Sequence, residues 1–121
     1  MNTVTIGNFG EDAAARYLEK NGYKVVARNY KSKIAEIDII AYNKEGVLCF
    51  VEVKTRKTSL FGYACEAVDF KKQRKITQGA LSYIRSHNID CEIRFDVIEV
   101  YGKVQGNGFS CEKINHIKNA F

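Results

Sequence analysis

Asp38, followed after thirteen intervening residues by Glu52 and then by Lys54, brings together the side-chain types in this 121-residue sequence that could do chemistry as a group. Paired carboxylates hold hard divalent cations such as magnesium or manganese, which keep several waters and share phosphate oxygens of a substrate. An ammonium beside them can orient the attacking water or stabilise charge building on phosphorus.

Whether the three groups meet depends on one turn. Lys44, Glu45 and Gly46 make a three-residue hairpin loop between two β-rich stretches, with glycine suited to its left-handed last position. Asn43 then pairs with Val47. Counting back, Tyr42 faces Leu48, Ile40 faces Phe50, Asp38 faces Glu52 and Glu36 faces Lys54, all on one side of the sheet. Directly opposed residues have Cβ atoms about 4.5 to 5.5 Å apart, so two carboxylates there destabilise the hairpin unless something positive lies between them. A metal ion held by Asp38, Glu52 and the Val53 carbonyl, with Glu11 of the first helix as an outer ligand, is the natural candidate, and Lys54 would act on water or phosphate. A plainer reading is a half-exposed strand with a Glu36–Lys54 surface pair worth under about 1 kcal/mol. Against it, Ile40, Leu48 and Phe50 share the face, so the carboxylates emerge at the end of a covered surface, as at the edge of a cleft. A four-residue loop would place Asp38 and Glu52 on opposite faces and remove the argument.

The elements that must position these groups follow from periodicity. Ile6, Phe9, Ala13, Tyr17 and Leu18 recur at helical spacing from Thr5 to Asn21. Val25 to Tyr30, Ile34 to Tyr42 and Val47 to Thr55 are rich in β-branched and aromatic residues. Asp69 can cap a second helix reaching about Ser86, with an apolar stripe of Phe70, Ile76, Ala80, Leu81 and Ile84. Lys71, Lys72, Arg74 and Lys75 crowd its start, where positive charge does not suit the helix dipole. Cys91 to Tyr101 predicts a fourth strand, and Phe109 to Ile117 a short edge strand after the Gly106 to Gly108 turn. The order αβββαββ predicts an α/β fold in a single domain over residues 1–121, a mixed sheet flanked by helices.

Nineteen basic against fourteen acidic residues give a net charge of +5, which favours polyanionic partners. Cys49, Cys65, Cys91 and Cys111 form no C-x-x-C pair, and His87 and His116 no paired-ligand pattern, so zinc is disfavoured and buried reduced thiols are expected. No apolar run approaches the roughly 18 residues of a membrane span, and the N-terminus lacks the pattern of a secretory signal, so a cytoplasmic location without membrane association is expected.

Asp38 and Glu52-Val53-Lys54 match the degenerate PD-(D/E)xK nuclease signature, and the αβββαβ order resembles the restriction-endonuclease-like core. More specifically, the chain resembles the YraN-like family of small bacterial proteins, predicted endonucleases distantly similar to archaeal Holliday junction resolvases. The resemblance covers nearly the whole chain. It is carried by Gly10-Glu11 with Ala14 and Leu18, Arg28-Asn29-Tyr30, Glu36 to Ile40, Phe50 to Arg56, Phe61-Gly62, Glu66 to Val68, Lys72-Gln73-Arg74, Arg94 to Val97 and Asn119-Ala120-Phe121. Ala35 departs from it, since the family usually has glycine there. The resemblance implies a magnesium- or manganese-dependent endonuclease acting on DNA, with branched DNA and a homodimer suggested by the resolvases. A binding module of the same fold that does not cut, and a nuclease directed at RNA, remain alternatives.

Arg56, Lys57, Lys72, Gln73, Arg74 and Lys75 are the candidate nucleic-acid contacts, with Arg56 preferred because its planar fork continues the motif strand. Gln73 has a weaker claim, a solvent-facing glutamine being commoner. Asp96 is either a further acidic ligand or, more simply, a partner of Arg94. Phe61-Gly62 could contact nucleic acid, though turn and packing roles are commoner.

Overall fold

The computed structural model describes residues 3–57 and 68–121. Its elements are α1 (Thr3–Lys20), β1 (Lys24–Lys31), β2 (Glu36–Tyr42), β3 (Leu48–Lys57), α2 (Phe70–Ser86), β4 (Ile93–Gln105) and β5 (Gly108–Ile117), the αβββαββ order expected. They build one sheet in the order β1-β2-β3-β4-β5. Sequential neighbours pair antiparallel except β3 and β4, which run parallel because α2 carries the chain across between them. The fold is therefore α/β, with a mixed sheet flanked by helices.

The hairpin loop behaves as its glycine predicts. Gly46 takes φ 82°, the Asn43 N–H donates to the Val47 carbonyl at 2.9 Å, and Ile40 pairs with Phe50 and Tyr42 with Leu48. Asn43 Oδ1 accepts from both the Glu45 and Val47 N–H groups at 2.9 Å, which ties the loop internally.

Each face of the sheet is covered by one helix. Ala13, Ala14, Ala15 and Leu18 of α1 pack on Ile39, Ala41, Cys49, Val51, Ile98 and Val100. Ile76, Ala80 and Tyr83 of α2 pack on Ile37, Ile40, Leu48, Phe50 and Val97. The expected α2 stripe needs correction. Phe70 is 84% and Leu81 42% exposed, whereas Tyr83 is buried, because Ile76, Ala80 and Tyr83 follow the i, i+4, i+7 pattern and Phe70 lies about 240° around the helix from Ile76. The thiol expectation holds for Cys49 alone among the described cysteines. Cys91, in the bend before β4, and Cys111, on edge strand β5, are exposed, and Cys65 lies outside the described residues. β4 runs past the expected Tyr101 to Gln105, and the edge strand begins at Gly108 instead of Phe109, because the ladder between them continues up to the turn.

Gly10 sets how closely α1 approaches the sheet. A Cβ there would collide with the Thr55 hydroxyl and come within 2.9 Å of Thr55 Cβ. Only glycine lets this turn of α1 sit on β3 and present Glu11 to the end of the strand. Gly10→Ala should destabilise the protein by about 1–3 kcal/mol in urea unfolding, and Thr55→Ala should recover part of that loss; an unchanged midpoint for Gly10→Ala would show that the contact is readily relaxed.

Candidate functional site

The β2–β3 ladder runs from Tyr42↔Leu48 to Ile39↔Val51 and then opens. At the next position the backbone pairing expected between Asp38 and Glu52 is replaced by a side-chain bond, Asp38 Oδ2 accepting the Val53 N–H at 2.8 Å. The N–H and C=O of a strand residue point to the same edge, so the Val53 carbonyl is directed into the same gap. β2 twists sharply here. Ile37 packs under α2 while Ile39 packs under α1, although residues two apart in a regular strand share a face. In β1, which pairs Arg28 with Ile39 and Tyr30 with Ile37, the intervening Asn29 takes the left-handed conformation at φ 51°. Asparagine tolerates that region better than the β-branched residues usual in strands.

Both helices aim side chains at the gap. Glu11 of α1 is buried and accepts from Arg28 Nε at 3.1 Å and Asn29 Nδ2 at 3.0 Å, while Arg28 also bonds Asp12 at 2.6 Å. From the start of α2, Lys72 Nζ lies 2.5 Å from Glu52 Oε1, closer than Lys54 Nζ at 3.8 Å. A cleft of about 550 Å³ results, lined by Ile6, Gly7 and Asn8 together with Glu11, Asn29, Glu36, Asp38, Glu52, Val53, Lys54, Thr55 and Lys72. Four carboxylates and two ammonium groups thus share one opening.

Their protonation is perturbed. Burial, reinforced by the charge of Glu52, pushes the Asp38 carboxyl up to about 7, against the pull of the Val53 N–H. Burial also raises Glu11, a rise that Arg28 opposes. Lys54 is lowered by burial and by the neighbouring Lys72 ammonium. For Lys72, burial pulls down, but the hydrogen bond and charge of Glu52 leave it above the ordinary lysine value.

The donor set suits a hard cation. Asp38, Glu52 and the Val53 carbonyl offer oxygens only, and magnesium accepts a few protein oxygens with water completing its shell. Among the described residues no three acidic, histidine or cysteine side chains form a ready-made ligand cluster, and Glu11 is held by Arg28 and Asn29, consistent with an outer rather than a direct ligand.

The remaining candidates divide. Lys75 joins Glu36, Asp38, Glu52 and Lys72 around a second opening of about 240 Å³, and Lys71 and Arg74 are exposed on the same end of α2. Arg56 is half-buried, with Nε and Nη2 withdrawn from solvent, which makes it a poorer phosphate contact than its place in the motif strand suggests. Gln73 turns away, donating to the Val68 carbonyl at 2.7 Å. Asp96 is not at the cleft: Arg94 grips both its oxygens at 2.8 Å, and His116 Nε2 and the Asn119 N–H complete its shell at 2.7 and 3.0 Å. The Lys57 side chain and Phe61-Gly62 lie outside the described residues. Sequence reasoning missed Arg28 and Asn29 as the holders of Glu11, and the ion pair of Lys72 with Glu52. Asn29 left a signal, a poor β-former inside a strand; the Lys72 pair, formed across the fold, left none.

The family profile described as Uncharacterised protein family UPF0102 matches residues 10–100. A UPF0102 protein of Caldanaerobacter subterraneus subsp. tengcongensis is 50% identical, with 100% of this chain and 98% of the relative covered. One from Clostridioides difficile is 48% identical, with both chains covered in full. Among solved structures, Pyrococcus furiosus SfsA in complex with Ca2+ aligns with a TM-score of 0.38 at 12% identity, over 97% of this chain and 64% of that one.

The raised Asp38 value has a sign. The folded state keeps its proton up to about pH 7 whereas the unfolded chain releases it near 3.8, so this contribution to stability is fully present below about pH 4 and is lost as the pH rises to 7. In chelator, the wild-type melting temperature should fall between pH 5 and about 7.5 more steeply than that of Asp38→Asn, which retains an acceptor for Val53. Asp38→Ala should instead lose about 1–3 kcal/mol throughout, from the unsatisfied N–H. Parallel wild-type and Asp38→Asn profiles would contradict the assignment.

Proposed function

The chain belongs to the uncharacterised protein family UPF0102, the YraN family its sequence blocks resemble, and from that membership and its cleft we propose a divalent-metal-dependent phosphodiesterase that hydrolyses DNA. One observation carries the reading: Asp38 and Glu52 converge with Lys54 and Lys72 on a gap in the sheet where backbone pairing has been given up. Asp38, Glu52 and the Val53 carbonyl would hold magnesium or manganese. When bound, such an ion polarises a phosphoryl oxygen and acidifies water.

The chain's own groups supply the rest. Lys54, lowered by burial and by Lys72, sits where it can orient a water or pass a proton. Glu11, fixed by Arg28 and Asn29, can accept a hydrogen bond from a water in the cleft. Lys71, Lys72, Arg74 and Lys75 stand at the N-terminal end of α2, whose first turn carries no acid. Cations there gain nothing from the helix dipole, and the Asp69 cap already takes the Lys72 N–H, so the side-chain cations are the groups that attract phosphate. These contacts position a backbone without reading bases, so the substrate is selected by shape, branched or otherwise structured DNA being the class suggested by the resolvase resemblance.

A second reading draws on the Lys72–Glu52 pair, which neutralises the carboxylate without a metal and would suit a DNA-binding module that does not cut.

Incubation with duplex, single-stranded, flap and four-way-junction DNA in manganese or magnesium separates the two. Wild type should cleave at least one of them, and Asp38→Asn and Glu52→Gln should reduce cleavage by a factor of 100 or more, roughly the loss of a central electrostatic group; binding without cleavage in either metal favours the module. Arg74→Ala and Lys75→Ala should each weaken binding across sequences and lower the salt slope of log K by about 1. A slope unaltered by both substitutions removes this end of α2 from the interface.

A further inference from the structure

We propose that Lys72 is an internal counter-cation that competes with the divalent metal for Glu52 and is drawn off by a phosphate of the substrate, so that polyanion and metal bind cooperatively. The inference rests on the metal-site reading above and adds its regulation. Glu52 is 6% exposed, and a carboxylate that far from water needs a cation beside it. Lys72 supplies one at 2.5 Å, while Lys54, on the same strand, stays at 3.8 Å. Lys72 also borders both openings onto the Asp38–Glu52 pair, so its ammonium stands in the region a metal would neutralise.

The two ends of Lys72 are held differently. Its backbone N–H is fixed by the Asp69 cap at 2.8 Å, rooting the residue in the first turn of α2. Its side chain is 46% exposed, with a four-carbon stem that can carry the ammonium from Glu52 to solvent. Leaving Glu52 for water alone would strand a buried charge, which keeps the pair closed. Leaving it for a phosphate at the helix N-terminus, while a metal takes the vacated place, keeps both anions neutralised. Lys54 lies against Lys72 and repels it, which favours the same displacement. An ammonium drawn toward a phosphate neutralises Glu52 less, and one held at Glu52 attracts a phosphate less, so whatever replaces it at one strengthens its binding at the other, and linkage makes the effect reciprocal.

The test is calorimetric titration of manganese into the full-length protein, alone and with a saturating 30-base-pair duplex, for wild type, Lys72→Met, Lys72→Gln and Glu52→Gln, with folding checked by circular dichroism. Lys72→Met and Lys72→Gln should bind manganese roughly tenfold tighter than wild type without DNA, and Glu52→Gln should lose the site. The duplex should tighten manganese binding to wild type by about 5-fold or more, within the usual range of coupling between sites, and leave the two Lys72 variants unchanged. Equal affinity of wild type and both Lys72 variants overturns the competition. Tighter binding to the variants with undiminished tightening by DNA overturns the coupling. No manganese binding to any of them overturns the metal-site reading itself, whatever Lys72 does.

Discussion

The gap at the end of the β2–β3 ladder is the constraint on which the rest of the structure depends. Two carboxylates facing each other across adjacent strands repel, and burial strengthens that repulsion. The chain meets it by ending backbone pairing at Ile39↔Val51 and letting Asp38 take over a hydrogen bond that β2's backbone would otherwise make to Val53. The twist of β2, the left-handed Asn29 beside it and the close approach of α1 at Gly10 all fit around that exchange. Lys72 and Lys54 then supply the positive charge that the pair requires.

Much of this arrangement was legible in the sequence, for identifiable reasons. Gly46 fixed the hairpin loop, and the loop fixed which residues oppose each other down to Ile40 and Phe50. Side-chain period and loop length are local properties, so they can be counted. The count stops being reliable at Asp38, because a carboxylate replacing a carbonyl changes the backbone path without changing the residue pattern. Phe70 and Leu81 were misplaced for a related reason: apolar type suggested a stripe, but the angular order around α2 selects Ile76, Ala80 and Tyr83.

The site's inner partners were less legible because they are made between elements. Arg28 reaches Glu11 across 17 positions, and Lys72 reaches Glu52 from the opposite helix. No periodicity encodes such a meeting. What the sequence did carry was an excess of cations at the start of α2, against the helix dipole. The energetic inconsistency pointed to an anion, and the fold brings a buried carboxylate there. One of those cations, Lys72, therefore has a partner inside the fold, which charge counting cannot reveal.

Two aspartates in one sheet show how environment sets the state of a buried acid. Asp96 is fully buried, yet Arg94, His116 and the Asn119 N–H offset the upward push of burial and bring it down to about 2. The network reaches Tyr23 through Arg94 and Tyr17 through His116, and the chain end is pinned alongside by the Ala120 N–H on the Phe95 carbonyl and by Phe121 stacked on Phe95. Each oxygen of Asp96 is committed, so the group is a fastener. Asp38 receives the Val53 N–H, faces another carboxylate and is pushed up to about 7. Folding alone would favour the satisfied arrangement, and the sheet achieves it at Asp96. Asp38 is instead left beside Glu52 at the wall of a cleft, with the Lys54 and Lys72 ammonium groups near, and a buried acid perturbed by a like charge in a cleft is the arrangement that marks a candidate functional site.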